Sequence, residues 1–319
     1  MKTINKMFEK ERDMMNKTKS IWDKTLFSAG ALTLCSIIWG SGYLVNKIGI
    51  EKAELSPEAL LFARQFIATI CIAVIFRKKL QSSYRKGDWK GGAIAGGFFV
   101  AATMFQTYGL SNTSPGVAAF LTTTYVVIVP LLWWALKKEK PSKIIAVCSV
   151  LAVIGIGLLS LTEGMAMKPG DMLVLVCAFM FSGYIMSISI FARDMDEIVL
   201  AFLMFLFCTI YSFILFMIND GNWKQFLSTP AIASILYLAL AYTFFSNTIQ
   251  VFAQAHIRAG LAAILLSLES LFGAMFGIIG GYDKLSARFV LGGVCMIVAV
   301  KLPAFEDYLK EKKEMAEEK

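Results

Sequence analysis

The chain has 319 residues, 57% hydrophobic and only 17% charged, with a mean hydropathy of +0.65 and a formal net charge of +8. That balance excludes an ordinary soluble domain of this length, and the apolar runs are long enough to cross lipid. Little chain is left outside those runs, which excludes a separate soluble catalytic domain.

The first 27 residues are polar and carry acids as well as bases, so they do not read as a signal peptide. Met7, Phe8, Met14, Met15, Ile21 and Trp22 suit one face of an amphipathic helix on the inner leaflet, with a frayed polar tail as the equal alternative. Ten apolar spans follow, at 28–50, 57–76, 91–110, 114–136, 142–162, 170–192, 197–218, 231–253, 258–280 and 285–303. Each is about 19–23 residues, enough for a helix across about 30 Å of hydrocarbon. Continuous runs, rather than alternation in strands of about ten residues, favour helices over a barrel. The charged tail 304–319 receives no function.

Of the 31 Lys and Arg residues, 24 fall on one side of this scheme, 6 on the other, and Arg64 lies within a span. The bias places both termini in the cytoplasm of an inner or plasma membrane protein. It also makes the net charge a matter of topology, with no nucleic-acid partner implied. All six cysteines lie in apolar spans without a CxxC pair, so no disulfide, metal site or cofactor is expected.

Polar groups inside the spans are the candidate site. In the first half these are Trp39, Tyr43, Asn46, Gln65, Gln106, Tyr108 and Tyr125; in the second, Tyr184, Ser187, Tyr242, Ser246, Asn247, Gln250 and Gln254. Tyr43 with Asn46 and Tyr184 with Ser187 are three apart, and Ser246 with Gln250 four apart, so each pair shares a helical face. Such faces suit a hydrated cavity better than lipid. Glu269 is the only acid in the middle of any span, where a carboxylate is costly and suits a proton carrier or a counter-ion. The alternative is a Glu that fixes helix packing. Arg64 is open to pairing with Glu269, binding a substrate carboxylate or capping helix-end carbonyls. Lys47 can snorkel to the interface or act as a gate. Pro130 removes one backbone bond and should kink the fourth helix, as a hinge or as packing. Gly92/Gly96 and Gly273/Gly277/Gly281 form small-residue stripes, read as packing first and a homodimer contact second. His256, the only histidine, reads as a solvated loop residue.

The chain also repeats itself. Trp39–Tyr43 aligns with Met180–Tyr184 at an offset of 141, Thr69-Ile70 with Thr209-Ile210 at 140, and Gln106, Gly116, Lys140 and Ser142 with Gln250, Gly260, Lys284 and Ser286 at 144. Residues 28–162 and 163–303 thus read as two five-helix copies. An odd number of spans per copy inverts the second relative to the first, a plan common among secondary transporters.

WGSGYLVNKIGI, SPEALLFARQFIAT, NTSPGVAAFLTTTYVVIVPLLWW and AGLAAILLSLESLFGAMFG resemble the EamA-type domain of the drug/metabolite transporter superfamily, over nearly the whole chain. The resemblance implies a ten-helix basket with a central cavity that exports small metabolites or drugs, and a Lys is common at the place of Lys47. Ser270 stands where that family usually has Pro, which implies a straighter ninth helix.

The expected fold is therefore an all-α membrane protein of ten transmembrane helices, two inverted five-helix repeats around a central cavity. The expected function is a secondary transporter, an exporter of an amino acid, nucleobase or amphipathic drug by alternating access, with proton coupling through Glu269. An importer or exchanger is the first alternative, a non-transporting scaffold or receptor the second. No P-loop and no HExxH occurs, and one peripheral His supports no nucleophile–base pair, so an enzyme is not expected.

Overall fold

The computed structural model describes residues 2–160, 169–219, 221–287, 290–295, 297–299 and 302. The boundary expected between residues 162 and 163 and the tail 304–319 lie outside the described residues. All regular structure among the described residues is helical: α1 (Lys2–Glu51), α2 (Pro57–Ile75), α3 (Arg77–Ser83), α4 (Trp89–Ser111), α5 (Pro115–Thr123), α6 (Tyr125–Lys137), α7 (Lys143–Ser160), α8 (Pro169–Phe191), α9 (Glu197–Asn219), α10 (Thr229–Tyr237), α11 (Ser246–Gln254), α12 (Ala259–Leu266) and α13 (Glu269–Ile279). A π-helical stretch, Leu238–Phe245, joins α10 to α11.

Among the described residues, eight stretches are long and apolar enough to cross a membrane: Leu26–Glu51, Pro57–Ile75, Trp89–Ser111, Pro115–Lys137, Pro169–Phe191, Glu197–Asn219, Thr229–Gln254 and Ala259–Ile279. Two shorter apolar helices, Lys143–Gly155 and Val290–Ala299, occupy the places of the fifth and tenth expected spans. The first span is the end of a 50-residue helix that already begins at Lys2. The N-terminal segment is therefore helical and continuous with the first span.

Local chemistry sets the helix starts. Ser56, Ser114 and Ser228 each accept a hydrogen bond from a first-turn amide through the hydroxyl, and each is followed by Pro at the first or second helical position. Proline is tolerated there because first-turn amides lack an intrahelical acceptor anyway.

The chain ends of the spans gather at two faces. Phe27 packs on Phe252, near the start of the first span and the end of the eighth. Gly170, the start of the sixth span, sits against Gly109 and Asn112 at the opposite face, where Glu51 also lies. These are called below the Glu139 end and the Glu51 end. Between them, the third span packs on the sixth and seventh, the first on the eighth and ninth, the second on the seventh and eighth, and the fourth on the sixth and ninth. Close approach uses the small-residue stripes. A Cβ on Gly92 would lie 2.3 Å from that of Leu203, and one on Gly273 would lie 2.7 Å from that of Ala119. Gly92 and Gly273 therefore sit at close helix contacts within the chain, while Gly281 has nothing within 4 Å.

Candidate functional site

Two of the membrane-length helices are broken at matching places. The fourth span is interrupted at Thr124, whose amide and hydroxyl both donate to Leu121 O, at 3.3 and 2.7 Å. The ninth breaks between α12 and α13, where the Leu268 amide reaches back to Leu265 O at 3.3 Å. Each is a tight three-residue turn in place of an α-helical one. At the offset of 144, Thr124 is the mate of Leu268, so the break is duplicated with the sequence.

Neither break needs proline. Ser267 Oγ donates to Ile264 O at 2.7 Å and Ser270 Oγ to Ser267 O at 2.8 Å. Ser36 of the first span donates to Leu265 O and Leu266 O at 3.0 and 3.2 Å, tying the first span to carbonyls at the break. The helical hydrogen bonding is thus interrupted here without proline, with serine hydroxyls bonding carbonyls around the interruption. Pro130 lies inside continuous α6, six residues beyond the break at Thr124. The carbonyl it orphans, Val126 O, accepts from Ser149 Oγ at 3.1 Å.

Tyr125 and Glu269 are the first residues after the two breaks, and their side chains meet: Tyr125 donates to Glu269 Oε1 at 3.2 Å. Both are buried. Trp39, Phe99, Phe181, Tyr184, Ile185, Tyr242 and Gln250 complete a narrow cleft with them. Its walls are braced by a hydrogen-bonded pair in each half. Gln106 Nε2 donates to the Tyr43 hydroxyl at 3.0 Å and to Thr122 Oγ1 at 3.2 Å. The mate of Tyr43, Tyr184, donates to Gln250 Oε1 at 2.8 Å and to Asn247 Oδ1 at 3.0 Å. Gln250 in turn donates to Gln254, and Asn247 to the carbonyls of Tyr242 and Thr243. The π-helical backbone at Tyr242 also accepts from Trp39 Nε1 at 3.1 Å, tying the first span to the eighth.

Among the described residues, the hydrated central cavity expected from the sequence narrows here to a small cleft. The cleft holds about 10 Å³, room for about one water. Aromatic rings close it, with Phe99 4.9 Å from Tyr184 and 6.0 Å from Phe181 between ring centroids.

The candidate residues divide accordingly. Trp39, Tyr125, Tyr184, Tyr242, Gln250 and Glu269 line the cleft, while Tyr43, Gln106 and Asn247 belong to the bracing pairs. Asn46, Ser187 and Ser246 bond carbonyls of their own helices instead: Asn46 to Gly42 O, Ser187 to Gly183 O and Ser246 to Ala241 O. None of the three is among the residues that bound the cleft, and the buried Asn46 Oδ1 has no partner among the described residues. Phe99, Phe181 and Ile185 were not among the candidates, because nothing in an apolar side chain's identity separates a cleft wall from a lipid face.

The two basic candidates also take definite places. Lys47 is buried and does not snorkel. Its ammonium donates to Leu110 O at 2.9 Å and Thr113 O at 3.2 Å and pairs with Glu51 at 3.1 Å, holding the C-terminal carbonyls of α4. Arg64 is buried and forms no ion pair with Glu269; its guanidinium stacks on Tyr242, 5.1 Å from the ring centroid. Among the described residues its Nε and Nη2 have no hydrogen-bond partner. No group of three or more His, Cys, Asp or Glu able to hold a metal occurs among the described residues.

The profile of the EamA-like transporter family matches residues 26–161 and again residues 168–302. Two proteins of Archaeoglobus fulgidus, each named only as an uncharacterized transporter, are similar to the chain. One is 31% identical over 283 residues, spanning 87% of this chain and 85% of the relative. The other is 26% identical over 281 residues, spanning 85% and 95%. A solved crystal structure superposes with a TM-score of 0.68 at 14% identity, covering 87% of this chain and 96% of that one, a likeness of fold alone.

Proposed function

The chain belongs to the EamA-like transporter family, and from that membership we propose that it is a secondary transporter moving a small organic solute by alternating access, as an exporter. The solute class is an amino acid, a nucleobase or an amphipathic drug, bound in the cleft beside Glu269, which exchanges the coupling proton. The architecture behind it is ten membrane helices in two inverted copies, in the cell membrane with both termini cytoplasmic.

One observation carries the reading: repeat mates meet each other at the interface of the halves. Thr69 and Thr209 are hydrogen-bonded at 2.9 Å, and Tyr125 meets Glu269 at 3.2 Å. Two residues related by a two-fold axis touch only where that axis passes between them. The first span starts at the Glu139 end and the sixth at the Glu51 end, which supports inversion. The bracing pairs support the duplication, since Tyr43 meets Gln106 in one copy and Tyr184 meets Gln250 in the other. A pseudo-symmetric site at the junction of inverted copies is what exposure to two sides in turn requires. The cleft joins aromatic faces, an amide and one carboxyl, which suits an organic solute better than a phosphate ester, because Arg64 is the only mid-span cation and does not line it.

Solute-gradient-driven flux through the purified chain in liposomes, screened over these three classes, tests the proposal. Saturable efflux that Glu269→Gln slows is expected. Absence of flux for every class, with the protein folded and inserted, would leave the scaffold or receptor reading. Flux driven equally well in both directions would favour the exchanger.

A further inference from the structure

The offset that pairs Tyr125 with Glu269 and Gly116 with Gly260 also pairs Glu139 with Asp283. Asp283 is docked. Its Oδ2 accepts from the Gly116 amide at 3.1 Å and its Oδ1 from Ser114 Oγ at 3.1 Å, covering the first turn of α5. The turn that presents it is closed by the Tyr282 and Asp283 amides on Gly277 O, at 2.9 and 3.1 Å, with Gly281 at φ +78°. The fit leaves no spare room: a Cβ on Gly116 would lie 2.8 Å from the carboxylate and one on Gly277 2.1 Å. Next to it Tyr282 donates to Glu51 Oε2 at 2.8 Å, and Glu51 holds Lys47. The Glu51 end is therefore tied shut between the first span, the start of the fourth and the end of the ninth.

The matching place at the other end is empty of its acid. The first turn of α12 has no side-chain cap, and a Cβ on Gly260 would meet Ile145 at 3.4 Å and Pro130 at 3.9 Å, with no carboxylate nearby. Glu139 is exposed and accepts from Trp133 Nε1 at 3.0 Å, within its own segment. A cavity of about 210 Å³, bounded by Glu139, Arg258 and Gly260 among others, separates the acid from the helix start. Helix starts attract carboxylates through their unpaired amides and the positive end of the dipole.

We infer that Asp283 and Glu139 form a reciprocal latch, each closing one end of the protein by docking on the first turn of its partner helix. With Asp283 on Gly116, the Glu51 end is shut and the Glu139 end is slack. In the opposite state Glu139 enters the cavity beside Gly260 and Asp283 leaves Gly116. The inference rests on the alternating-access reading and adds the residues that hold each state.

Hydrogen–deuterium exchange of the whole protein in lipid nanodiscs, followed in peptides over 114–118 and 258–262, tests it. Asp283→Ala should speed exchange at 114–118 and slow it at 258–262, by about fivefold to tenfold, the population shift expected from losing one charge-assisted contact. Glu139→Ala should do the reverse. Gly260→Ala keeps the present packing but obstructs docking of Glu139, so it should match Glu139→Ala. Changes confined to the mutated end would make each acid a local cap and overturn the latch. Flux assayed on the same preparations separates the two claims: wild-type flux without reciprocity overturns the latch alone, and reciprocity without flux overturns transport alone.

Discussion

Glu269→Gln is the perturbation that bears most directly on mechanism. It keeps the side chain's size and an acceptor oxygen for Tyr125, which donates to Glu269 Oε1 over 3.2 Å, but deletes the exchangeable proton. A hydrogen bond to an ionised group contributes about 1.5–3 kcal/mol and a neutral one about 0.5–1.5 kcal/mol. The difference limits the loss of stability to about 2.5 kcal/mol, a shift of several degrees in Tm at most for a chain of this size. Glu269→Ala goes further, because it leaves the Tyr125 hydroxyl buried without its acceptor, at a cost of about 1–3 kcal/mol. The assay is solute efflux from proteoliposomes with an imposed proton gradient, beside a thermal melt of the same protein. Wild-type efflux should rise when protons enter as solute leaves, and Glu269→Gln efflux should not respond. A variant whose efflux still follows the gradient refutes the coupling role and returns Glu269 to helix packing.

Gln250→Ala should weaken apparent solute affinity about tenfold, as one lost hydrogen bond in a closed site allows; Asn46→Ala, which only frees Gly42 O, should leave it unchanged, and equal effects would move the site. Ser149→Ala should cost about 1–2 kcal/mol by stranding Val126 O, and much less on a Pro130→Ala background, where the restored amide takes that carbonyl. A thermal double-mutant cycle with no coupling between the two would reject this account of Pro130. At the Glu139 end, burial pushes the Asp196 carboxyl up, but hydrogen bonds from Lys79 and the Ile198 amide outweigh it and hold Asp196 below the usual carboxylate range. A depressed carboxylate stabilises the folded state above its unfolded pKa, and that stability is lost as pH falls through the folded value. The Tm advantage of wild type over Asp196→Asn should therefore be present at neutral pH and vanish in acid; an advantage that grows in acid would reverse the sign.

Part of the site was legible in advance because its signal is local. Glu269 stands out from any count of charges within apolar runs, and Gln250, Tyr184 and Tyr43 stand out as polar groups on faces repeated in both copies. Lys47 and Arg64 were visible as residues but not in their roles. One meets carbonyls 63 and 66 positions away, and the other stacks on a ring of the eighth span. The breaks at Thr124 and at Ser267–Leu268 were missed because proline, the strongest breaker by type, is in neither place. Serine and threonine hydroxyls can bond either the helix or a neighbour, and only packing decides which.

Composition and order alone determined that this chain lives in a bilayer as helices, that it is built twice over, and which single acid falls in the middle of an apolar run. Those properties are sums and spacings along one strand of chain, and the bilayer imposes them without reference to any neighbour. The closed aromatic cleft, the burial of Lys47, and the docking of Asp283 while Glu139 stays free of Gly260 were decided by tertiary structure. Each depends on which groups from distant spans arrive at the same point, where a buried donor or carbonyl must find a partner or leave the interior.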